Sequence, residues 1–224
     1  MTRASHALAS QDAYQLWAAT YPPEAHNALM RTEHARVSRI IEELRPARAL
    51  DVGTGSGRYL AVLAEAGAGL AVALDFSSRM LARISRDTPR VCGDARSLPF
   101  AAGTFDLLNA SLVAGDVPDL TSWLAGLARV LSPGGHLIYS DFHPSWSLYG
   151  WRRTFQTTDG RTIEIPYATH TIDDHLKAIR DARLTEISTE EIRLRDEETT
   201  EVTRFRERWG DPPVLVVVHA MKAM

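Results

Sequence analysis

Cysteine is nearly absent. Cys92 stands alone among 224 residues, which excludes an intrachain disulfide and any cysteine-based zinc site. Its place before Gly93, at the end of a short apolar stretch, reads as packing. No apolar run approaches the ~20 residues that a membrane-spanning helix needs, and residues 1–10 lack the apolar stretch of a secretory leader. An excess of one charge is missing too. The formal net charge is −3, which gives no basic face for nucleic acid or an anionic membrane. There is no internal repeat, no low-complexity tract and no G-x-x-x-x-G-K-[ST] loop for ATP or GTP hydrolysis. His6, His26, His34, His136, His175 and His219 show no metal-ligand spacing, so no metal is expected. What remains is a soluble, cytoplasmic chain, 45% hydrophobic, with enough apolar residues for the core of one α/β domain.

Apolar periodicity lays out that domain. Met30, His34, Val37, Ile41 and Leu44 recur at helical steps over residues 27–45, and Pro46 ends the run. Strands are expected at 47–52, 70–74, 91–92, 105–110 and 136–140. Helices alternate with them at 58–66, from Ser77 or Ser78 to about Arg86, and at 120–131 before Ser132-Pro-Gly-Gly135. This alternation predicts a Rossmann-like α/β fold: a seven-stranded, mostly parallel sheet with an antiparallel last strand and helices on both faces. Ligands then bind beyond the carboxyl ends of the strands. After the fifth strand, Asp159-Gly160 marks a small β-hairpin insertion. A helix follows at 173–182, then two late strands near 185–194 and 213–219, with charged Glu186–Arg208 read as a solvated strand face and loop. The organisation expected is an N-terminal lid over 1–26 and a domain over 27–224, with the insertion at 143–170.

The most informative stretch is Asp51-Val-Gly-Thr-Gly-Ser-Gly57, where a strand runs into Gly53, Thr54, Gly55 and Gly57 just before a helix. Glycine lets the backbone turn and approach a ligand closely, and a helix start favours an anionic group. A dinucleotide fingerprint requires G-x-G-x-x-G, and Arg58 stands where its third glycine belongs. Two further acids end the next two strands. Asp75, followed by Phe76, suits ribose hydroxyls, and Asp94, in Gly93-Asp94-Ala95, suits an adenine amino group.

D-x-G-x-G-x-G with this succession of acids resembles class I S-adenosylmethionine (SAM)-dependent methyltransferases. Leu98-Pro-Phe100, Phe105-Asp106 and Arg129-Val-Leu-Ser-Pro-Gly-Gly135 extend the resemblance over residues 35–142. It implies SAM as cofactor and S-adenosylhomocysteine as product. The methionine carboxylate would sit near the helix start after Gly57, and the ammonium near Gly53 and Ser111. Asp75 would hold the ribose, and Asp94 with Ala95 the adenine. Asp51 would orient the loop or reach the methionine end. The aromatic segment with Tyr14, Trp17 and Tyr21 would lie across the cofactor as a lid or bury a loose terminus.

Methyl transfer needs a base only where the acceptor must lose a proton. Three candidates lie near strand or helix ends: His143, His170 and Asp116, the last at a position where relatives often carry histidine. Each has a plainer reading as an ordered or capping side chain. Trp146, Tyr149, Arg152 and Tyr167 are expected at an apolar or aromatic acceptor site, with Arg152 and Arg153 more commonly solvent-exposed. The expected partner is a small-molecule acceptor, methylated on oxygen, with no nucleic acid and no membrane; oligomeric state is open. Two rivals stand. An NAD-dependent oxidoreductase would show a Tyr-x-x-x-Lys pair, which is missing. A SAM-binding module without catalysis would keep the loop and acids but fill the acceptor pocket.

Overall fold

The computed structural model describes residues 8–194 and 199–224. The first seven residues of the expected lid, His6 among them, and residues 195–198 lie outside it. In chain order the elements are α1 (Ser10–Trp17), α2 (Ala28–Leu44), β1 (Arg48–Val52), α3 (Arg58–Glu65), β2 (Leu70–Asp75), α4 (Ser78–Leu81), β3 (Arg90–Cys92), β4 (Phe105–Ala110), α5 (Leu120–Val130), β5 (Leu131–Phe142), β6 (Thr154–Gln156), β7 (Thr162–Glu164), α6 (Ile172–Asp181), β8 (Leu184–Ile192), α7 (Thr200–Trp209) and β9 (Leu215–Lys222).

Seven strands form one sheet in the order β3-β2-β1-β4-β5-β9-β8. The first five are parallel, and β9 runs antiparallel between β5 and β8. The central strands are buried on both faces, as parallel strands between helix layers must be. Their side chains divide by the two-residue period of a strand. Leu50, Val52, Leu108 and Leu137 join Trp123, Leu124 and Leu127 of α5 and Ile179 of α6 on one face. Ala49, Leu107 and Ile138 join Val37 and Ile41 of α2 and Leu63 of α3 on the other. Burying one such leucine is worth about 1.5–3 kcal/mol.

The helix ends have local causes. The Asn27 side chain accepts from the Met30 N–H and starts α2, and Thr171 and Asp174 form a reciprocal capping box on α6. The expected hairpin is present as β6 and β7, turning through Gly160 at φ +78°.

Three expectations need correction. The helix expected to reach Arg86 ends at Leu81. The stretch Glu186–Arg208, read as strand face and loop, contains α7, started by the Thr199 side chain on the Val202 N–H. Cys92 is exposed rather than packed, because β3 is the short edge strand. No helix among the described residues is long and apolar enough to cross a membrane.

Candidate active site

A cavity of about 1060 Å³ opens beyond the carboxyl ends of the strands. This exceeds the roughly 300–1,000 Å³ of ordinary single-ligand pockets. One part of its wall comes from the ends of β1–β3: Gly53, Gly55, Asp75, Phe76, Gly93, Asp94 and Ala95, with Cys92 beside them. Tyr14, Trp17 and Tyr21 from the N-terminal segment and Ser111 after β4 also line it. A small side cavity of about 30 Å³ shares Tyr21, Gly53, Arg58 and Ser111 with it and adds Asp51 and Thr54.

Asp51 organises the glycine loop from below. Its Oδ2 accepts from Thr54 Oγ1 at 2.6 Å, and its Oδ1 accepts from Asn109 Nδ2 at 2.8 Å. Asn109 is its register partner on β4, so the two side chains share a sheet face. Burial pushes the Asp51 carboxyl up to about 6, against the lowering effect of those two bonds. Gly53 adopts φ +66°, and a Cβ there would stand 2.6 Å from Val113 Cγ2. Gly55, at φ +57°, differs: its nearest neighbour would be Tyr21 at 3.8 Å, so a Cβ would project into free cavity space. Gly57 leads into α3 and packs toward Leu60 and Ile84, outside the cavity wall.

Asp75 is 5% exposed. Its Oδ2 accepts from the Gly55 N–H at 2.9 Å and its Oδ1 from the Ser77 N–H at 2.8 Å. Burial still raises its pKa above the usual carboxylate range. Each oxygen has acceptor capacity left for a second donor, and Asp75 lines the cavity. Asp94 is held by Arg96, whose Nη2 donates to Oδ2 at 2.6 Å, and these bonds lower its pKa.

The base candidates do not converge. His143 and His170 are both buried and neither lines the cavity. His143 turns away to Glu191 Oε2, 2.7 Å from its Nε2, and its Nδ1 accepts from the Ser145 N–H at 3.1 Å. The His170 Nε2 lies 2.9 Å from the Val117 carbonyl oxygen, to which it donates. Asp116 does line the cavity but is taken up by Arg153, whose Nη1 and Nη2 donate to its two oxygens at 2.9 and 2.5 Å. Arg153, expected in solvent, is 8% exposed. The histidine that lines the cavity among the described residues is His26, which carried no motif.

Of the expected acceptor residues, Trp146 and Arg152 line the cavity, while Tyr149 and Tyr167 stand behind it. Tyr149 stacks on Trp151 with centroids 5.3 Å apart, and the Tyr167 hydroxyl donates to the Trp151 carbonyl at 3.3 Å. Phe205 and Trp209 of α7 complete that wall. Their spacing with Val202 (i, i+3, i+7) was the available sign of an amphipathic helix. Leu112, also on the wall, has φ +58°, an uncommon conformation for a bulky side chain. Its N–H is held by the Ser140 hydroxyl at 2.9 Å.

Residues 50–139 match the profile of the methyltransferase domain family. The fold is that of SAM-dependent methyltransferases, and this segment matches a methyltransferase domain. A SAM-dependent methyltransferase from Mesorhizobium loti superposes with a TM-score of 0.69 at 24% identity, covering 85% of this chain and 98% of that one. The [4+2]-cyclase SpnF has the same fold, with a TM-score of 0.67 at 17% identity over 99% of this chain and 100% of its own. Among curated proteins, the demethylmenaquinone methyltransferase of Mycolicibacterium vanbaalenii is 41% identical over 109 residues, 48% of this chain and 47% of the relative. The chain thus spans about half the length of the curated relatives it matches. SAM is the cofactor for which the Mesorhizobium loti protein is named, and the residues present here fit it: Gly55 leaves open a cradle that a Cβ would fill, and Asp75 lines that space with both oxygens fixed.

Proposed function

We propose that this chain transfers a methyl group from SAM to a small-molecule acceptor with an apolar or aromatic body, and that oxygen receives it. The observation that carries the reading is a single cavity with two unlike walls: a glycine loop with strand-end acids over β1–β3, and aromatic rings over β5 and α7. SAM, when bound, supplies an electrophilic methyl on a sulfonium.

In this reading Asp75 accepts from the ribose hydroxyls. Asp94 and Ala95 take the adenine edge, beside Gly93 and Phe76. Gly53, Gly55 and Ser111 meet the amino-acid end, near the helix start after Gly57. Asp51 acts through Thr54 to fix the loop, and Tyr14 and Tyr21 belong to an N-terminal lid. Trp146 and Arg152 contribute to the acceptor wall, and Tyr149 and Tyr167 support it from behind. With His143 and His170 off the cavity and Asp116 paired, the acceptor hydroxyl loses its proton to water as the methyl–sulfur bond breaks, and the rate comes mainly from holding acceptor and methyl in line. The open acceptor side argues against a SAM-binding module without catalysis.

A second reading concerns the methylated atom. The curated relatives named for demethylmenaquinone methylate carbon, so product analysis must distinguish a C-methyl from an O-methyl group.

Calorimetric titration with S-adenosylhomocysteine, run beside NADH, tests the cofactor. We expect binding of the former alone, weakened roughly 10- to 100-fold in Asp75→Ala by the loss of two hydrogen bonds to a charged group. Absence of S-adenosylhomocysteine binding to folded protein overturns the reading.

A further inference from the structure

The acceptor wall has a composition of its own. Trp151 is its centre, half-buried among rings from two separate segments. Trp146 meets it edge-on at 4.4 Å, and Phe205 and Trp209 of α7 approach at 5.3 and 5.6 Å. All four line the cavity, with Phe142 and Leu194 beside them. Leu194, Leu112, Trp151 and Phe205 pack over Val214 and Leu215 at the start of β9. This wall therefore stands over the opposite half of the sheet from Asp75 and Asp94.

Among the described residues, each charged side chain on that wall has a partner of opposite sign. Arg152 Nη1 donates to Glu164 Oε2 at 2.8 Å. Arg153 holds Asp116. Glu201 Oε2 accepts from the Ala28 N–H at 3.0 Å and from Arg31 Nη2 at 3.4 Å, which ties α7 to the start of α2. A charged acceptor entering this space would lose hydration and would have to compete with these existing partners for a counter-charge, a costly exchange. A planar ring finds π-faces and edges arranged for offset or edge-on stacking.

We propose that the acceptor is an uncharged, planar aromatic molecule, and that α7, through Phe205 and Trp209, is the element that selects it. The proposal rests on the methyltransferase reading above and narrows it.

The test uses the full chain saturated with S-adenosylhomocysteine and three probes of similar size: 2-naphthol, the saturated decalin-2-ol and the anionic 2-naphthoate. Quenching of tryptophan fluorescence and calorimetry report binding. We expect 2-naphthol to bind at least about tenfold more tightly than either comparison probe. Trp209→Ala and Phe205→Leu should each weaken 2-naphthol roughly 5- to 50-fold, Trp209→Phe should restore most of the loss, and affinity for S-adenosylhomocysteine should be unchanged in all three. Phe205→Leu keeps an apolar side chain on α7 and guards against simple loss of the helix. Decalin-2-ol binding as well as 2-naphthol, 2-naphthoate binding better, or both variants retaining 2-naphthol affinity would each overturn the proposal. If S-adenosylhomocysteine binds and 2-naphthol does not, this proposal alone fails. If neither binds, the cofactor reading fails and takes this one with it.

Discussion

Asp116→Ala should be among the most damaging single changes outside the core. The Asp116 and Arg153 side chains are 13% and 7% exposed, so their bidentate pair is nearly out of water. Tyr14 adds a third element: its hydroxyl donates to Asp116 Oδ2 at 3.1 Å and receives Arg153 Nη1 at 3.2 Å. Arg153 Nη2 also donates to the Pro166 carbonyl at 3.0 Å. Removing the carboxylate leaves a buried guanidinium with two neutral partners. Breaking a buried pair from one side typically costs about 3–5 kcal/mol. For a domain of this size each kcal/mol moves the melting temperature by about 2–4 °C, so the fall should be about 6–20 °C. The control is the double variant Asp116→Leu/Arg153→Met. Replacing both partners by apolar groups removes the stranded charge and should recover most of the loss. Calorimetric melting of the parent, Asp116→Leu, Arg153→Met and the double variant at pH 7 gives the cycle. An Asp116→Ala protein melting within ~2 °C of the parent, or a double variant as poor as the two singles added, would refute the claim that this pair is a desolvated ion pair.

The glycine loop offers a separable pair of outcomes. Gly53→Ala meets Val113 at 2.6 Å in a left-handed conformation and should lower stability by about 1–3 kcal/mol, read by urea unfolding. Gly55→Ala carries the same left-handed strain at φ +57° but meets no atom closer than 3.8 Å, so its larger effect should appear in affinity for S-adenosylhomocysteine. Asp141 predicts a pH dependence. Its carboxyl is raised from 3.8 to about 7, first by burial. A raised folded pKa means that its contribution is complete below about pH 4 and is lost as pH rises through 7. Asp141→Asn should therefore unfold like the parent near pH 4 and be more stable at pH 8, by about 4 kcal/mol at most. Unfolding curves at the two pH values check the sign, and an Asn variant weaker than the parent at pH 8 would contradict it.

The sheet was legible because its strands are short apolar runs with glycine and acid at their ends, and parallel strands buried on both faces leave that mark. The hairpin was legible from two residues, Asp159-Gly160. The loop and strand-end acids were legible because their spacing is local. Contacts between distant segments were not. Nothing near Arg153 announces Asp116, and its burial follows from the fold of the insertion. His143 was placed correctly at the end of β5, yet the short turn after it directs the ring to Ser145 and Glu191. α7 was hidden by its charges: five of its ten residues are Glu or Arg, and the apolar Val202, Phe205 and Trp209 are few enough to pass for loop.

One small cluster carries a further consequence. Ala13, Tyr14 and Trp17 of α1 share a hydrophobic centre with Phe155, Ile163 and Ile165 of the hairpin, and Trp17 stacks on Phe155 at 5.0 Å and 15°. Neither segment can exchange its apolar face alone without exposing the other's. The start of the chain and the insertion after β5 are thus under one joint constraint. Recombination between relatives that carries over one without the other should yield poorly assembled hybrids. Transplanting both together, as a single cassette on an unchanged sheet, is the route by which a new acceptor preference could be inherited intact.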